Sequence, residues 1–107
     1  IGDLDNMDVL IIDDMIDTAG TLVNAAEAAI EKRAKSVTAV ATHGVLSGQA
    51  IHRLKKSKIK KIIITDTILI PKNKKIDKIK IVSVDKLFGE AVNRVHNGDS
   101  VSALFEF

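Results

Sequence analysis

The sequence has 107 residues, which suits one domain and is too short for two. It contains no cysteine, which excludes disulfides, thiolate catalysis and cysteine-ligated zinc and favours a reducing, cytoplasmic location. Sixteen basic and fourteen acidic residues leave a net charge of +2, too even to indicate nucleic acid, and no apolar run is long enough to cross a membrane. Because the first residue is isoleucine, we expect a piece of a longer protein.

The apolar residues are almost entirely aliphatic, which is typical of a parallel sheet buried on both faces. The first predicted strand is Asp8–Asp13, a continuous apolar run closed by an acid. A turn of small and acidic residues, Asp14–Thr21, follows it. From about Gly20 to Arg33, apolar residues recur at three- and four-residue steps, and this periodicity predicts a helix.

Strand and helix patterns continue to alternate along the middle of the chain. Ser36–Thr42 predicts a second strand, and Ser47 is expected to cap a short helix that reaches about Lys56. Lys60–Thr65 predicts a third strand, and the following loop is expected at Pro71–Asp77.

A fourth strand and a last helix complete the prediction. The strand is Lys78–Val84, and Asp85 is expected to cap a helix that ends at Gly98. The side chains expected to face inward from this helix are Leu87, Phe88, Ala91, Val92 and Val95. The alternation predicts an α/β fold in which a mostly parallel sheet is flanked by helices on both faces.

Three of the predicted strands end in polar residues. The carboxyl ends of parallel strands share one edge of a sheet, where open α/β folds bind ligands, so these residues are expected to form a site. They are Asp13 and Asp14, then Thr42 and His43, then Thr65, Asp66 and Thr67. The alternative is that they are helix caps and turn formers, a role that Asp and Thr favour.

The loop Asp17–Thr21 has the composition of a phosphate-binding turn. It lies between a strand end and a helix start, where free N–H groups and the helix dipole attract an anion. Ala19 and Gly20 allow close approach to the backbone, and the two threonines add hydroxyl donors. Upstream, Asp13 and Asp14 could accept hydrogen bonds from sugar hydroxyls or organise Mg²⁺. A phosphorylated sugar has both a phosphate for the loop and hydroxyls for the two carboxylates.

Asp17 is the unexpected member of this loop, since an acid beside a phosphate repels it. We expect it to order the turn by accepting backbone N–H bonds, or to act as a base near the sugar. His52 and His96 fall on predicted helices with polar neighbours and are expected to be surface residues, whereas His43 follows a strand end and could touch ligand or a neighbouring subunit.

The segment Val9–Thr21 resembles the phosphoribosyl pyrophosphate signature of the type I phosphoribosyltransferase fold. It has an apolar run, two acids, two variable positions and then D-T-A-G-T. Ala41–Gly48, Thr65–Thr67 and Gly98–Phe105 resemble the ribose-phosphate pyrophosphokinases specifically. This likeness covers essentially all of the chain. It implies the C-terminal phosphoribosyltransferase-like domain, here incomplete, of a two-domain subunit.

The resemblance implies that the parent enzyme uses Mg²⁺ to transfer pyrophosphate from ATP to ribose 5-phosphate, forming 5-phosphoribosyl 1-pyrophosphate, and that it is a homo-oligomer. By the same resemblance, Asp13 and Asp14 would meet the ribose hydroxyls and associated Mg²⁺. The residues that would hold the 5-phosphate are Asp17, Thr18, Ala19, Gly20 and Thr21. A regulatory phosphate or nucleotide site at subunit contacts would involve Ser100, Ser102 and Phe105. Phe107 lies just past the usual end of the family.

The family's ATP-binding residues, metal-binding histidine and mobile catalytic loop lie upstream of this chain. We therefore expect no catalytic residue within it, and no turnover by residues 1–107 alone. Other possibilities remain open. They are a nucleobase phosphoribosyltransferase, a catalytically inactive regulatory relative, and a receiver domain with Asp66 as phosphoacceptor. The many lysines lack the aromatic neighbours of a single-strand nucleic-acid site, and in Lys78–Ile81 they indicate a strand with one solvated face.

Overall fold

Four parallel strands form one sheet in the order β1-β2-β3-β4 in the computed structural model, which describes residues 2–106. The strands are β1 Asp8–Ile16, β2 Ser36–Gly44, β3 Lys61–Thr65 and β4 Ile79–Val82. The helices are α1 Gly20–Glu31, α2 Ala50–Lys56 and α3 Asp85–Asn97, with 3₁₀ turns at Lys72–Lys74 and Ser102–Phe105. The predicted α/β class, a parallel sheet flanked by helices, is confirmed. Within residues 2–106, no helix has the length and apolar character needed to span a membrane.

The core lies between one face of the sheet and helices α1 and α2. Alternate residues of β2 are buried there, together with Ala26 from α1 and Leu54 from α2. Each crossover leads to the adjacent strand in the same direction, and right-handed crossovers of this kind place successive helices on the same face. On the other face, Leu10 and Ile12 are 56% and 72% exposed. The expected covering of both faces is therefore not seen within the described residues.

The first two strands are longer than predicted. β1 continues past Asp13 because its parallel pairing with β2 extends as far as Ile16 opposite Gly44. Asp14 therefore lies inside the strand and not in the turn predicted for it, and the turn begins only at Asp17. β2 likewise runs two residues beyond its predicted end. Main-chain pairing with a neighbouring strand sets these boundaries, and it does not depend on the apolar pattern.

Helix α3 does not bury the face that its periodicity assigns to the core. None of its residues is buried, and Leu87, Phe88, Val92 and Val95 are between 41% and 69% exposed. The inward-facing prediction is wrong because periodicity identifies an apolar face but not the surface that the face meets. Asp85 is also not the cap: Val84 takes that position and Asp85 falls in the first turn. Gly98 does end the helix, with φ 72°.

The start of α2 differs from its prediction as well. The helix begins at Ala50 with Gln49 at the N-cap position, and no side chain caps it. Ser47 contributes only its backbone carbonyl, which accepts a hydrogen bond from the Ala50 N–H at 3.1 Å. The predicted cap by the Ser47 side chain is therefore wrong, because its hydroxyl is bonded to the loop after β1.

Lys78 closes the other end of α2. Its Nζ donates to the carbonyl oxygens of Leu54, Lys55 and Ser57 at 2.9, 3.3 and 2.7 Å. The last carbonyls of a helix lack intrahelical donors, and the helix dipole makes this end attractive to a cation. Lys78 was predicted to lie on the solvated face of a strand. It instead lies just before β4, and its ammonium group anchors α2.

Replacing Lys78 with methionine is expected to destabilise the fold by about 1–2 kcal/mol, because three carbonyls lose a charged donor. The measurement is urea denaturation followed by circular dichroism. Lys80 is exposed on the adjoining strand, so Lys80→Met removes the same charge without this contact and should change stability by less than about 0.5 kcal/mol. Equal losses in the two variants would contradict the anchoring role.

Candidate functional site

The connection between β1 and α1 is three residues long, Asp17–Ala19, at the carboxyl edge of the sheet. Ala19 occupies the N-cap position in the left-handed region, with φ 66° and ψ 7°, and is only 5% exposed. No side chain caps the helix. The first N–H groups of α1 therefore carry the positive end of the helix dipole without a capping acceptor.

A cleft of about 290 Å³ surrounds this connection. Its lining is one continuous stretch of chain, residues 13–22. Asp13 and Asp14 contribute exposed carboxylates at the upstream end, and the amides and hydroxyls of Asp17–Thr21 lie at the other. The structure thus brings together, around one cleft, all of the residues that the sequence assigns to sugar and phosphate binding.

The segment between β2 and α2 holds the loop in place. The Ser47 hydroxyl donates to the Asp17 carboxylate, and the Ser47 N–H donates to the Asp17 carbonyl at 3.0 Å. The amides of Val45 and Leu46 both donate to the carbonyl of Ile16 at 3.0 Å. Asp17 therefore orders the loop, as one of the two expected roles required. Its hydrogen-bond partner is Ser47 and not a backbone N–H of its own turn.

Arg53 contacts the loop after β1, and no feature of the sequence indicated this contact. From α2, its Nη1 donates to the carbonyl oxygen of Thr18 at 2.9 Å. The same nitrogen lies 3.8 Å from the point where a Cβ on Gly20 would sit. The two partners are 35 residues apart, so no local spacing signals the contact. The two residues meet because β1 and β2 are adjacent in the sheet, which places the loop after β1 beside the helix that follows β2.

The polar residues at the ends of β2 and β3 bond mainly to one another. Thr65 Oγ1 and Thr67 Oγ1 donate to the carbonyl of Thr42 at 2.6 and 3.3 Å. His43 Nδ1 lies 2.7 Å from Thr67 Oγ1. None of these residues lines the cleft around the first loop. The turn-forming alternative therefore describes these two strand ends better than a shared ligand site.

Asp66 has a structural role at the start of α3. Its carboxylate accepts the Val84 N–H at 2.9 Å and the Ser83 hydroxyl at 2.7 Å. These two bonds, the backbone one first, hold the pKa of Asp66 below its ordinary value of 3.8. Both carboxylate oxygens are engaged, an arrangement that does not suit the phosphoacceptor of a receiver domain.

The remaining candidate residues lie outside the cleft. His52 and His96 are exposed on α2 and α3, and residues 2–106 contain no group of three or more side chains suited to holding a metal. In the tail, Ser100 Oγ and Ser102 Oγ are 2.8 Å apart, while Phe105 is largely exposed. Phe107 lies beyond the described residues.

Comparison with known proteins assigns the chain to a family. The family described as "Phosphoribosyl synthetase-associated domain" matches residues 1–106. The chain is 59% identical over 105 residues to a ribose-phosphate pyrophosphokinase of Caldanaerobacter subterraneus subsp. tengcongensis, and 53% identical to one of Fusobacterium nucleatum. Each alignment covers 98% of this chain and 33% of the relative.

A solved structure supports the same relationship. A phosphoribosylpyrophosphate synthetase from Mycobacterium smegmatis superposes with a TM-score of 0.89 at 34% identity, covering 92% of this chain and 33% of that one. The chain therefore spans about a third of the length of the relatives that it matches.

Proposed function

Because the chain belongs to the phosphoribosyl synthetase-associated domain family, we propose that it carries the ribose 5-phosphate-binding loop of a ribose-phosphate pyrophosphokinase. The parent reaction would transfer a pyrophosphoryl group from ATP to the anomeric hydroxyl of ribose 5-phosphate. The observation that carries this proposal is one continuous cleft lining, residues 13–22, which includes two exposed carboxylates and an uncapped helix N-terminus. The chain's relatives bear the name of that enzyme.

The 5-phosphate would lie at the start of α1. The first-turn amides there lack intrahelical acceptors, and the dipole favours a negative group. Gly20 has no side chain to obstruct an anion, and the hydroxyls of Thr18 and Thr21 are exposed beside it. Hydrogen bonds to a charged group contribute roughly 1.5–3 kcal/mol each, which suffices for millimolar to micromolar affinity from a few of them.

The sugar would lie toward Asp13 and Asp14. Both carboxylates are exposed, and one oxygen of Asp13 accepts the Asp14 N–H at 2.8 Å. Mg²⁺ is commonly held by one or two protein carboxylates together with substrate phosphates and water, so an exposed carboxylate at this position fits such an ion. When bound, the ion would neutralise charge on the transferred phosphoryl groups. The carboxylates themselves would accept hydrogen bonds from the ribose hydroxyls and orient the pentose.

The rest of the enzyme's apparatus belongs to the same proposal. The chain would form the C-terminal phosphoribosyltransferase-like part of a cytoplasmic, homo-oligomeric enzyme, with ATP bound mainly by upstream residues. Residues 1–107 alone would bind sugar phosphate without synthesis. In the tail, the neighbouring hydroxyls of Ser100 and Ser102 and the exposed ring of Phe105 would contribute to a regulatory phosphate or nucleotide site.

Titration calorimetry of the purified chain with ribose 5-phosphate tests the proposal. Thr21→Val keeps the side-chain volume and removes the hydroxyl, so we expect it to weaken binding by roughly 1–3 kcal/mol. Thr38→Val is the matched control, because Thr38 lies on β2 and outside the cleft, and we expect no change in affinity. Ribose without its phosphate should bind far more weakly to every form.

Two results would count against the proposal. Absence of any heat with ribose 5-phosphate would remove the sugar-phosphate assignment altogether. Formation of a nucleotide from phosphoribosyl pyrophosphate and adenine, hypoxanthine or uracil would instead identify a nucleobase phosphoribosyltransferase.

A further inference from the structure

We infer that Arg53 is a positioning residue of the proposed site, which holds the loop Asp17–Thr21 in its anion-accepting form and offsets the charge of the neighbouring carboxylates. This inference rests on the proposed function and adds a residue from outside the loop motif. Its basis is the 2.9 Å hydrogen bond from Arg53 Nη1 to the carbonyl oxygen of Thr18.

The hydrogen bond orients one peptide group of the loop. A trans peptide points its C=O and its N–H in opposite directions, and the described residues contain no cis peptide. With the Thr18 carbonyl held toward α2, the N–H of Ala19 must point away from α2. If this peptide rotated, the carbonyl oxygen would take the place of the N–H and repel an anion in the cleft. Arg53 therefore favours the orientation that an anion requires.

The packing of α2 holds the backbone of Arg53 in place. Ala50 and Leu54 anchor α2 in the core, both fully buried, and Arg53 is an exposed residue of the same helix. Lys78 secures the carboxyl end of that helix. The backbone that carries Arg53 is therefore held in place, which keeps its guanidinium within reach of the Thr18 carbonyl.

The charge of Arg53 matters because the charged residues that line the neighbouring cleft are all acidic. Asp13, Asp14 and Asp17 all line it, and an added phosphate would be repelled by three carboxylates. Within residues 2–106, Arg53 is the basic side chain that hydrogen bonds to the loop. A guanidinium has five N–H donors in a planar fork, so bonding to Thr18 through Nη1 uses only part of its donor capacity, while its positive charge offsets that of the loop carboxylates. A lysine would keep the charge and lose the fork.

Three variants separate these contributions. Arg53→Met removes the charge and the donors. Arg53→Lys keeps the charge and an ammonium donor but loses the planar fork. Lys56→Met removes one charge from the same exposed helix end without a contact to the loop. Each is titrated with ribose 5-phosphate and with inorganic phosphate at two salt concentrations. We expect Arg53→Met to weaken binding of ribose 5-phosphate about tenfold to a hundredfold, Arg53→Lys to be intermediate, and Lys56→Met to match the wild type.

Two further measurements distinguish positioning from a general loss of structure. The ¹⁵N–¹H resonance of Ala19 in the ligand-free protein should shift in Arg53→Met and stay in place in Lys56→Met, since its peptide group contains the Thr18 carbonyl. The salt dependence of binding should also decrease in Arg53→Met, because one screened charge is gone.

The outcomes separate this inference from the proposed function. If the wild type binds ribose 5-phosphate and Arg53→Met binds it equally well, the role of Arg53 is refuted and the proposed function stands. If the wild type does not bind, the proposed function fails and this inference fails with it. Should Arg53→Met not fold, Arg53→Ala decides, because it also removes the guanidinium, and an affinity equal to that of the wild type would overturn the inference.

Discussion

Replacing Leu54 with alanine is expected to destabilise the fold by about 2–5 kcal/mol, a large part of the stability of a domain of this size. Leu54 has no exposed surface and packs from α2 into the core beneath the sheet. The substitution removes apolar contacts and leaves a cavity that the surrounding side chains fill only in part. Urea denaturation followed by circular dichroism measures the loss.

Leu69 provides the matched control for this change. It is 89% exposed, so Leu69→Ala deletes the same atoms from solvent and should alter stability by less than about 0.5 kcal/mol. Similar denaturation midpoints for the two variants would show that α2 is not packed as the structure has it. Because α2 also carries Arg53, unfolding of Leu54→Ala should coincide with loss of sugar-phosphate binding.

Ala19→Val is expected to disrupt the loop strongly. Ala19 combines a left-handed backbone, φ 66°, with a side chain that is 5% exposed. Two extra methyl groups would overpack this site at a cost of about 1–3 kcal/mol, and a β-branched residue is especially unfavourable at positive φ. We expect both lower stability and loss of ribose 5-phosphate binding, measured by denaturation and by calorimetry.

Ala19→Gly is the control at the same position, because it is expected to preserve both stability and binding. Glycine adopts positive φ without steric cost, which offsets the loss of one buried methyl group. This variant should therefore retain wild-type stability to within about 1 kcal/mol and should still bind ribose 5-phosphate. If the valine variant were as stable as the glycine variant, the left-handed conformation of Ala19 would be contradicted.

The sequence correctly predicted the elements whose signals are local. The apolar run of β1, the helical periodicity of α1 and the cap at Gly98 each depend on residues close to one another in the chain. The phosphate-binding motif is local for the same reason, and the structure gathers its residues around one cleft. The predicted fold class followed from the order of these elements.

Predictions that required knowledge of distant partners were less successful. The apolar face of α3 was assigned to a core that does not cover it within residues 2–106. Ser47 was assigned to a helix cap, whereas its hydroxyl bonds to Asp17, 30 residues earlier. Lys78 was assigned to a solvated strand face, whereas its ammonium group closes α2. In each case the residue type suits both roles, and the partner decides between them.

The amino-acid sequence by itself determined the α/β alternation and the composition of the loop Asp17–Thr21, because periodicity and turn chemistry are properties of neighbouring residues. Only the tertiary structure decided how far β1 and β2 extend, which face of the sheet is covered, and which side chains hold the loop. The physical reason is that Ser47 and Arg53 reach Asp17 and Thr18 only after parallel pairing has placed β2 beside β1.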